Sequence, residues 1–352
     1  MEGFVCTMAL PNHIVLSQNP AELVSQFFVH HRYSQVAVLA DAHTHVHCYP
    51  QIQAALPPHQ LCVVPAGEEH KTLATCERVW GFLTDLAMDR HGLVVVLGGG
   101  VLGDLGGFCA ATYKRGIAFV LVPTTLLAQV DASVGGKLGI DFRNLKNHIG
   151  VFQPPASTLI SPAFLKTLPE RELRSGFAEV IKHALIADNK LWTQLIKLPD
   201  WHAIDWLSVI RTSVEIKCRV VDQDPTEKGI RKILNFGHTI GHAVESAALE
   251  AGMSLYHGEA VAVGMICEAY LSSKKGLLPD PAKATITDYL RSVYGTVLLP
   301  DEARVLALAL QDKKNQGGRI LAALLKETGQ AVWDVEISAT DVAEAMDFYK
   351  KT

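Results

Sequence analysis

In the first half of the chain, short aliphatic and β-branched runs alternate with longer amphipathic stretches. His13 to Leu16, Gln35 to Leu39, Leu61 to Val64, Leu93 to Leu97 and Ala118 to Val122 have the texture of buried strands, and Leu73 to Met88 has helical spacing between two of them. Strand, helix, strand in that order predicts a mostly parallel sheet covered on both faces. After about Pro155 the pattern changes. Arg171 to Ile196, Leu207 to Val221, Thr239 to Ala251, His257 to Lys274 and Pro281 to Ser292 are long periodic stretches punctuated by Pro and Gly, and they predict helices. Arg319 to Leu325 and Ala331 to Ile337 flank Thr328 and Gly329, which predicts a hairpin, with a final helix after it.

Composition narrows the function classes. With 49% hydrophobic and 19% charged residues the chain is not disordered, and 352 residues favour two domains over one. The formal charge is 32 − 36 = −4, which is not a polyanion-binding balance, so no nucleic-acid partner is expected. No window of about 18 uninterrupted apolar residues occurs, and the N-terminus lacks a basic region followed by an apolar stretch. A soluble, cytoplasmic protein with no membrane partner is therefore expected. The 7 cysteines are odd in number, scattered and without a CxxC pair, the pattern of reduced thiols and not of a disulfide framework or zinc ribbon.

The loop after Leu93 to Leu97 reads Gly98-Gly99-Gly100-Val101-Leu102-Gly103-Asp104. Gly98, Gly100 and Gly103 satisfy GxGxxG immediately after a buried strand and at the opening of a helix, where backbone amides can approach a pyrophosphate. A dinucleotide is the leading ligand. Glycines that only permit a turn and close helix packing account for the motif nearly as well. The acidic residue usual about 20 positions downstream is not evident. Asp41, at the end of an earlier strand, is the better acceptor for two vicinal hydroxyls. The fold expectation is an α/β N-terminal Rossmann-like domain over residues 1–155 and a mainly α-helical C-terminal domain over residues 156–352.

A dense run follows: Arg115, then a strand ending in Pro123-Thr124-Thr125, then Asp131, Gly135-Gly136-Lys137, Lys146 and Asn147. Thr124 and Thr125 would lie at the carboxyl edge of the sheet, where open α/β folds bind ligands. Gly135-Gly136-Lys137 is not a P-loop, because Leu138 replaces the required hydroxyl. Cations and amide donors beside the glycine loop suit a small anion, although any one lysine reads equally well as solvated surface charge.

The second half offers metal ligands on three segments. Glu179 stands in the apolar stretch Phe177 to His183, where a carboxylate is costly unless paired or coordinated. His238 and His242 are one helical turn apart, and His257 precedes another apolar stretch. One carboxylate with two imidazoles leaves open positions on a cation, as catalytic zinc sites do. Gly237, Gly241 and Gly258 would let helices approach closely around it. The HxxxH spacing alone fits two hydrogen-bonded helix histidines equally well. An HExxH protease is excluded, since Thr239 follows His238. His183 is a further candidate ligand, whereas the histidines of Asp41 to His47 lie in an alternating polar stretch expected to be exposed. Lys182, Lys217, Arg231, Asn235 and the turn Asp312-Lys313-Lys314-Asn315 add more cation than one carboxylate needs, which suits a substrate with both carboxylate and phosphate.

In their order, these segments resemble the 3-dehydroquinate synthase family of sugar-phosphate cyclases. The likeness runs from about Asp41 to the Lys313 turn and rests on GGGVLGDLGGF from Gly98, RG at Arg115, VPTTLLAQVDASVGGKLGID from Val122, KN at Lys146, FLKTLPERE from Phe164, FAEVIK from Phe177, LNFGHTIGH from Leu234 and HGEAVAVGM from His257. It implies cyclisation of a phosphorylated keto acid, 3-deoxy-D-arabino-heptulosonate 7-phosphate, to 3-dehydroquinate with loss of phosphate. The implied route is transient oxidation by tightly held NAD, elimination, return of hydride and aldol closure, with substrate phosphate itself serving as base. The implied ligands of Zn²⁺ or Co²⁺ are Glu179, His238 and His257. Implied substrate and proton-relay residues are Arg115, Asp131, Lys137, Asn147, Lys182, Lys217, Arg231, Asn235, His242 and Lys313. Implied NAD contacts are Asp41, Gly67, Glu68, Lys71, Gly100, Val101, Leu102, Gly103, Asp104, Thr124, Thr125, Lys137, Lys146, Phe164, Leu165, Lys166 and Thr167. The resemblance also implies that the two halves of the chain close over the ligand cleft, and that the protein is a homodimer. The competing readings are another sugar-phosphate cyclase, a metal-dependent polyol dehydrogenase, which would release reduced cofactor, and a non-catalytic NAD sensor, which has no use for metal ligands.

Overall fold

The computed structural model describes residues 10–143, 145–198, 200, 203–311 and 319–352. Two compact units emerge, Met1–Pro169 with Trp206–Cys218, and Glu170–Asp205 with Arg219–Thr352.

The first unit is built on strands β1 (Ile14–Leu16), β2 (Val36–Asp41), β3 (Gln60–Val64), β4 (Leu93–Gly98), β5 (Ala118–Pro123), β6 (Lys137–Phe142), β7 (Leu145–Phe152) and β8 (Ser157–Ile160). Its helices are α1 (Pro20–His30), α2 (Ala42–His47), α3 (Tyr49–Ile52), α4 (Leu73–Asp85) and α5 (Gly100–Thr112). Six strands pair in the order β1-β8-β5-β4-β2-β3, and every pairing is parallel. Alternate residues feed two cores. Leu39, Val94 and Val96 face α4 and α5, where Leu83 and Phe108 pack, while Val38, Val95 and Leu97 face α1 and α3, where Phe27 and Ile52 pack. Burial on both faces explains why these strands read as unbroken apolar runs. Residues 156–169 group with this unit, past the expected division at 155/156, because β8 pairs with both β1 and β5. Several elements of this unit escaped the hydrophobic pattern, among them the antiparallel β6–β7 hairpin, exposed along most of β7, and α2. Asp41 caps α2, taking the His43 and Thr44 amides at 2.9 and 2.8 Å, so the alternating histidine stretch is helical, with His43, His45 and His47 exposed.

The second unit holds α6 (Glu170–Ala187), α7 (Asn189–Leu195), the end of α8 (Trp206–Gln223), α9 (His238–Glu250), α10 (His257–Lys274), α11 (Asp280–Tyr294), α12 (Glu302–Gln311), the hairpin β9 (Ile320–Glu327) and β10 (Gln330–Ile337), and α13 (Ala339–Lys351). The periodic stretch from Arg171 to Ile196 is two helices, because Asp188 starts α7 by accepting the Leu191 amide at 2.9 Å. α10 is buried nearly all round, from Gly258 to Ser272, as befits a central helix. Among the described residues no helix is long and apolar enough to cross a membrane.

Candidate functional site

In the first unit the strand order reverses between β2 and β4, and the crevice outside their carboxyl ends is where open α/β sheets bind ligands. Asp41 ends β2 and Gly98 ends β4, side by side. Asp41 Oδ1 is engaged in capping α2, which orients the carboxylate and leaves Oδ2 for hydroxyl donors. Gly99 precedes α5 without a side-chain cap, so the first-turn amides of Gly100, Val101 and Leu102 form an anion-binding end. The glycines divide their labour. A Cβ on Gly106 would meet Leu39 and Val96 at 2.8 Å, so this residue lets α5 lie against the sheet; a Cβ on Gly103 would meet no described atom within 4 Å. Gly103 lines a pocket at the ends of β4 and β5 with Gly98, Gly100, Asp104, Ser133 and Lys137. Open space at a glycine of this loop is the cradle a pyrophosphate would fill.

Thr124 is buried, and its amide donates to Gly98 O at 3.0 Å, locking β5 to the glycine loop. Thr125 Oγ1 accepts the Ala128 amide at 3.2 Å. The chain then forms a π-helical turn, Ala128–Ala132, of the kind frequent at functional sites, and it carries Asp131. Lys217 Nζ contacts Asp131 twice, at 2.5 Å to the carbonyl and 2.6 Å to the carboxylate.

Lys71, only 3% exposed, donates to Asp104 Oδ2 at 2.7 Å and to Asn147 Oδ1 at 2.6 Å. Residues expected to serve cofactor and substrate separately thus form one cluster. Asn147 adopts φ +51°, and its amide donates to Asp141 Oδ1 at 2.7 Å. Burial pushes the carboxyls of Asp104 and Glu68 above their ordinary values despite the Lys71 ammonium. Gly67 sits at φ +115° ahead of Glu68. Lys137 and Lys146 are exposed on the hairpin, and Arg115 is exposed with φ +68° before β5. Phe164 and Leu165 bury their side chains, so only their backbones are available to a ligand, whereas Lys166 and Thr167 are exposed.

In the second unit three helices converge. Gly258 sits against the Ser175 backbone of α6, closer than any Cβ allows, and a Cβ on Gly241 would lie 2.9 Å from Ala260 O of α10. Gly237 begins α9 from a left-handed conformation, φ +79°, which favours glycine. These approaches bring Glu179 of α6, His238 at the start of α9 and His257 at the start of α10 together. His238 Nε2 lies 3.3 Å and His257 Nε2 3.6 Å from Glu179 Oε1, while Lys182 Nζ contacts Oε2. Both oxygens of Glu179 are enclosed, and among the described residues neither accepts a well-aligned hydrogen bond. A buried carboxylate facing two imidazole nitrogens fits a divalent cation. Gly258→Val should push α10 away from α6. We expect less than about a tenth of the wild-type bound metal in the variant, measured by elemental analysis, because overpacking here costs about 1–3 kcal/mol or more and displaces a ligand.

Burial opposes ionisation of Glu179, but Lys182 and His238 outweigh it and hold the carboxyl well below its ordinary value. Burial lowers His238, and the nearby Lys182 charge adds to this. For His257 burial also works downward, but the Glu179 and Glu245 carboxylates raise it to about 10. His242 stacks edge-on to His238, with ring centroids 4.8 Å apart. Arg231 is buried, with Nη1 donating to Pro225 O at 2.8 Å, and Asn235 Nδ2 donates to Glu227 Oε1 at 3.0 Å. His183 is fully buried on α6. Lys313 and the rest of its turn lie outside the described residues.

Residues 61–175 match the 3-dehydroquinate synthase N-terminal family and residues 176–315 the 3-dehydroquinate synthase C-terminal family. The chain belongs to the 3-dehydroquinate synthase family. A relative from Parabacteroides distasonis, a 3-dehydroquinate synthase, is 36% identical over 345 residues, 96% of this chain and 98% of that protein. Another from Lactococcus lactis subsp. cremoris is 42% identical over 297 residues, 82% of this chain and 81% of its own length. Among solved structures, the 2-epi-5-epi-valiolone synthase ValA of Streptomyces hygroscopicus subsp. jinggangensis, with NAD⁺ and Zn²⁺ bound, matches with TM-score 0.83 and 28% identity over 98% of each chain.

The boundary between the two family regions falls between the crevice and the metal ligands: the glycine loop and Lys137 lie in the first, Glu179, His238 and His257 in the second, and Asp41 precedes both. Two carboxylates of the second region were missed in the sequence. Glu268, fully buried on α10, accepts the Gly237 and Ile240 amides at 2.6 and 3.1 Å and so ties the first turn of α9 to α10. Glu245 accepts from His257 Nδ1 at 3.1 Å. A carboxylate in an apolar helix singled out Glu179 and also describes Glu268; Glu245 is marked by standing two turns after His238 on the same helix.

Proposed function

We propose that the chain acts as a 3-dehydroquinate synthase with bound NAD and one divalent cation, Zn²⁺ or Co²⁺, converting 3-deoxy-D-arabino-heptulosonate 7-phosphate to 3-dehydroquinate and phosphate. The observation that carries the cofactor part of this reading is the convergence of Glu179 Oε1 with the ε nitrogens of His238 and His257. Two further supports are the open space at Gly103 and the NAD⁺ and Zn²⁺ bound to the valiolone synthase. When bound, NAD supplies a reversible hydride acceptor and the cation a Lewis acid for substrate oxygens.

The chain's own residues hold and orient. The first-turn amides of α5 receive the pyrophosphate, and Asp41 Oδ2 accepts from a ribose. Lys71, paired with Asp104, orients the Asn147 side chain by donating to its Oδ1. Asp131 fixes the Lys217 ammonium, which serves an anionic end of the substrate. Arg231 keeps guanidinium donors beyond the one bound to Pro225 for the same purpose. Arg115, Lys137, Asn235, His242 and Lys313 complete the anion and proton contacts, and Lys182 balances the charge of Glu179. The family resemblance implies a homodimer.

Identities of 36% and 42% to 3-dehydroquinate synthases, against 28% to the valiolone synthase, favour the carboxylate-bearing substrate over other sugar phosphates. Purified protein should release phosphate from the heptulosonate phosphate without net NADH, and chelation should abolish turnover until Zn²⁺ or Co²⁺ is returned. Stoichiometric NADH from an alcohol, with no phosphate, would show a dehydrogenase instead.

A further inference from the structure

Glu245 meets the far side of a metal ligand. On α9 it follows His238 by seven residues, two helical turns along the same face, and points at the first residue of α10. His257 Nδ1 lies 3.1 Å from Glu245 Oε2, while Nε2 of the same ring faces Glu179 Oε1 at 3.6 Å.

The backbone around His257 is held independently of Glu245. Tyr256 N donates to Glu259 Oε2 at 3.0 Å, and Arg171 of α6 grips Glu259 through two nitrogens at 2.7 and 2.8 Å. Gly258 N donates to Ser175 Oγ at 3.0 Å. What these bonds leave undetermined is rotation of the imidazole about its Cβ–Cγ bond, a broad, roughly two-fold torsion. A flipped ring presents carbon where nitrogen is needed. His238 has the same requirement, met differently: its Nδ1 faces Phe236 O at 3.1 Å. Both imidazoles therefore have their δ nitrogen engaged and turn their ε nitrogen to the same carboxylate oxygen.

We propose that Glu245 is the positioning residue for His257: by accepting the Nδ1 proton it fixes the tautomer and ring plane that aim the Nε2 lone pair at the cation. The inference rests on Glu179, His238 and His257 being the metal ligands. A ring whose Nδ1 donates to a carboxylate has only Nε2 left to coordinate, which argues against a second cation held by His242, Glu245 and His257, although these three lie within 4.8 Å of one another.

The test is Co²⁺ binding to apo-protein, read by calorimetry and by the visible ligand-field spectrum, for wild type, Glu245→Ala, Glu245→Gln, Glu245→Leu and His257→Ala. Wild type should bind one equivalent. Glu245→Ala should still bind one, about 10- to 100-fold more weakly and with an altered spectrum, and Glu245→Leu should match it. Glu245→Gln, which keeps an acceptor oxygen, should recover most of the affinity and the wild-type spectrum, a rescue that loss of packing alone would not produce. Wild-type affinity and spectrum in Glu245→Ala or Glu245→Leu would overturn the proposal. So would two equivalents in wild type falling to one in Glu245→Ala. Cobalt binding indifferent to His257→Ala would overturn the ligand assignment itself and this inference with it, a result distinct from failure of Glu245 alone.

Discussion

Glu179→Gln should yield a folded protein that retains less than about a tenth of the wild-type metal and releases phosphate more than about a hundredfold more slowly, since losing a direct ligand exceeds the 10- to 100-fold typical of outer-shell changes. Glu179→Ala should look different. Lys182 is 2% exposed, and its counter-charge is Glu179. Glu179→Gln loses the charge but keeps an oxygen that accepts from the ammonium, whereas Glu179→Ala leaves it neither, and stripping a buried charge of its partner typically costs about 3–5 kcal/mol. Glu179→Ala should therefore lose both metal and stability, whereas Glu179→Ala combined with Lys182→Ala should recover stability without recovering metal. Thermal unfolding and metal content on the four proteins separate the two effects. Normal metal content in Glu179→Gln would remove Glu179 from the ligand set.

At the glycine loop, stability and cofactor affinity should move in opposite directions. Gly103 lies inside α5, where alanine is favoured over glycine by about 1 kcal/mol, and its Cβ would meet no described atom within 4 Å. Gly103→Ala should raise the melting temperature of the NAD-free protein by about 2–4 °C. The same methyl enters the space assigned to the pyrophosphate. Gly103→Val, with two more carbons there, should lose about 10- to 100-fold in NAD affinity, the equivalent of about 1–3 kcal/mol of overpacking. Fluorescence titration with NAD checks this. Unchanged affinity in the valine variant would mean the cofactor does not run over Gly103. Gly106→Val is the contrasting case: it should destabilise the free protein, because its Cβ would meet Leu39 and Val96.

Fold class was legible because parallel strands buried on both faces must be apolar throughout, and their boundaries shifted by only a residue or so, as with Leu93–Gly98 and Ala118–Pro123. The β6–β7 hairpin was not legible, because β7 is exposed along most of its length and carries no alternation tied to a core. α2 was hidden for a similar reason: its histidines face solvent, and the signal that starts it is the Asp41 cap, not a hydrophobic stripe. The break between α6 and α7 also depends on a single cap, Asp188, within an otherwise continuous period.

The sequence by itself determined which chemistry the chain carries: a glycine loop after a buried strand, a carboxylate that an apolar helix does not tolerate alone, and imidazoles at the openings of two further helices. These are local facts, set by residue type and by the few positions on either side. Only the tertiary structure decided which of them act together. His238 and His257 reach Glu179 Oε1 because glycine contacts let α9, α10 and α6 approach to backbone distance. Lys71, Asp104 and Asn147 become one cluster, and Glu245 comes to face His257, for the same kind of reason. Coordination and hydrogen bonding act over about 2–4 Å, whereas the groups they join here come from different elements of the chain, so their pairing is a property of packing and not of sequence spacing.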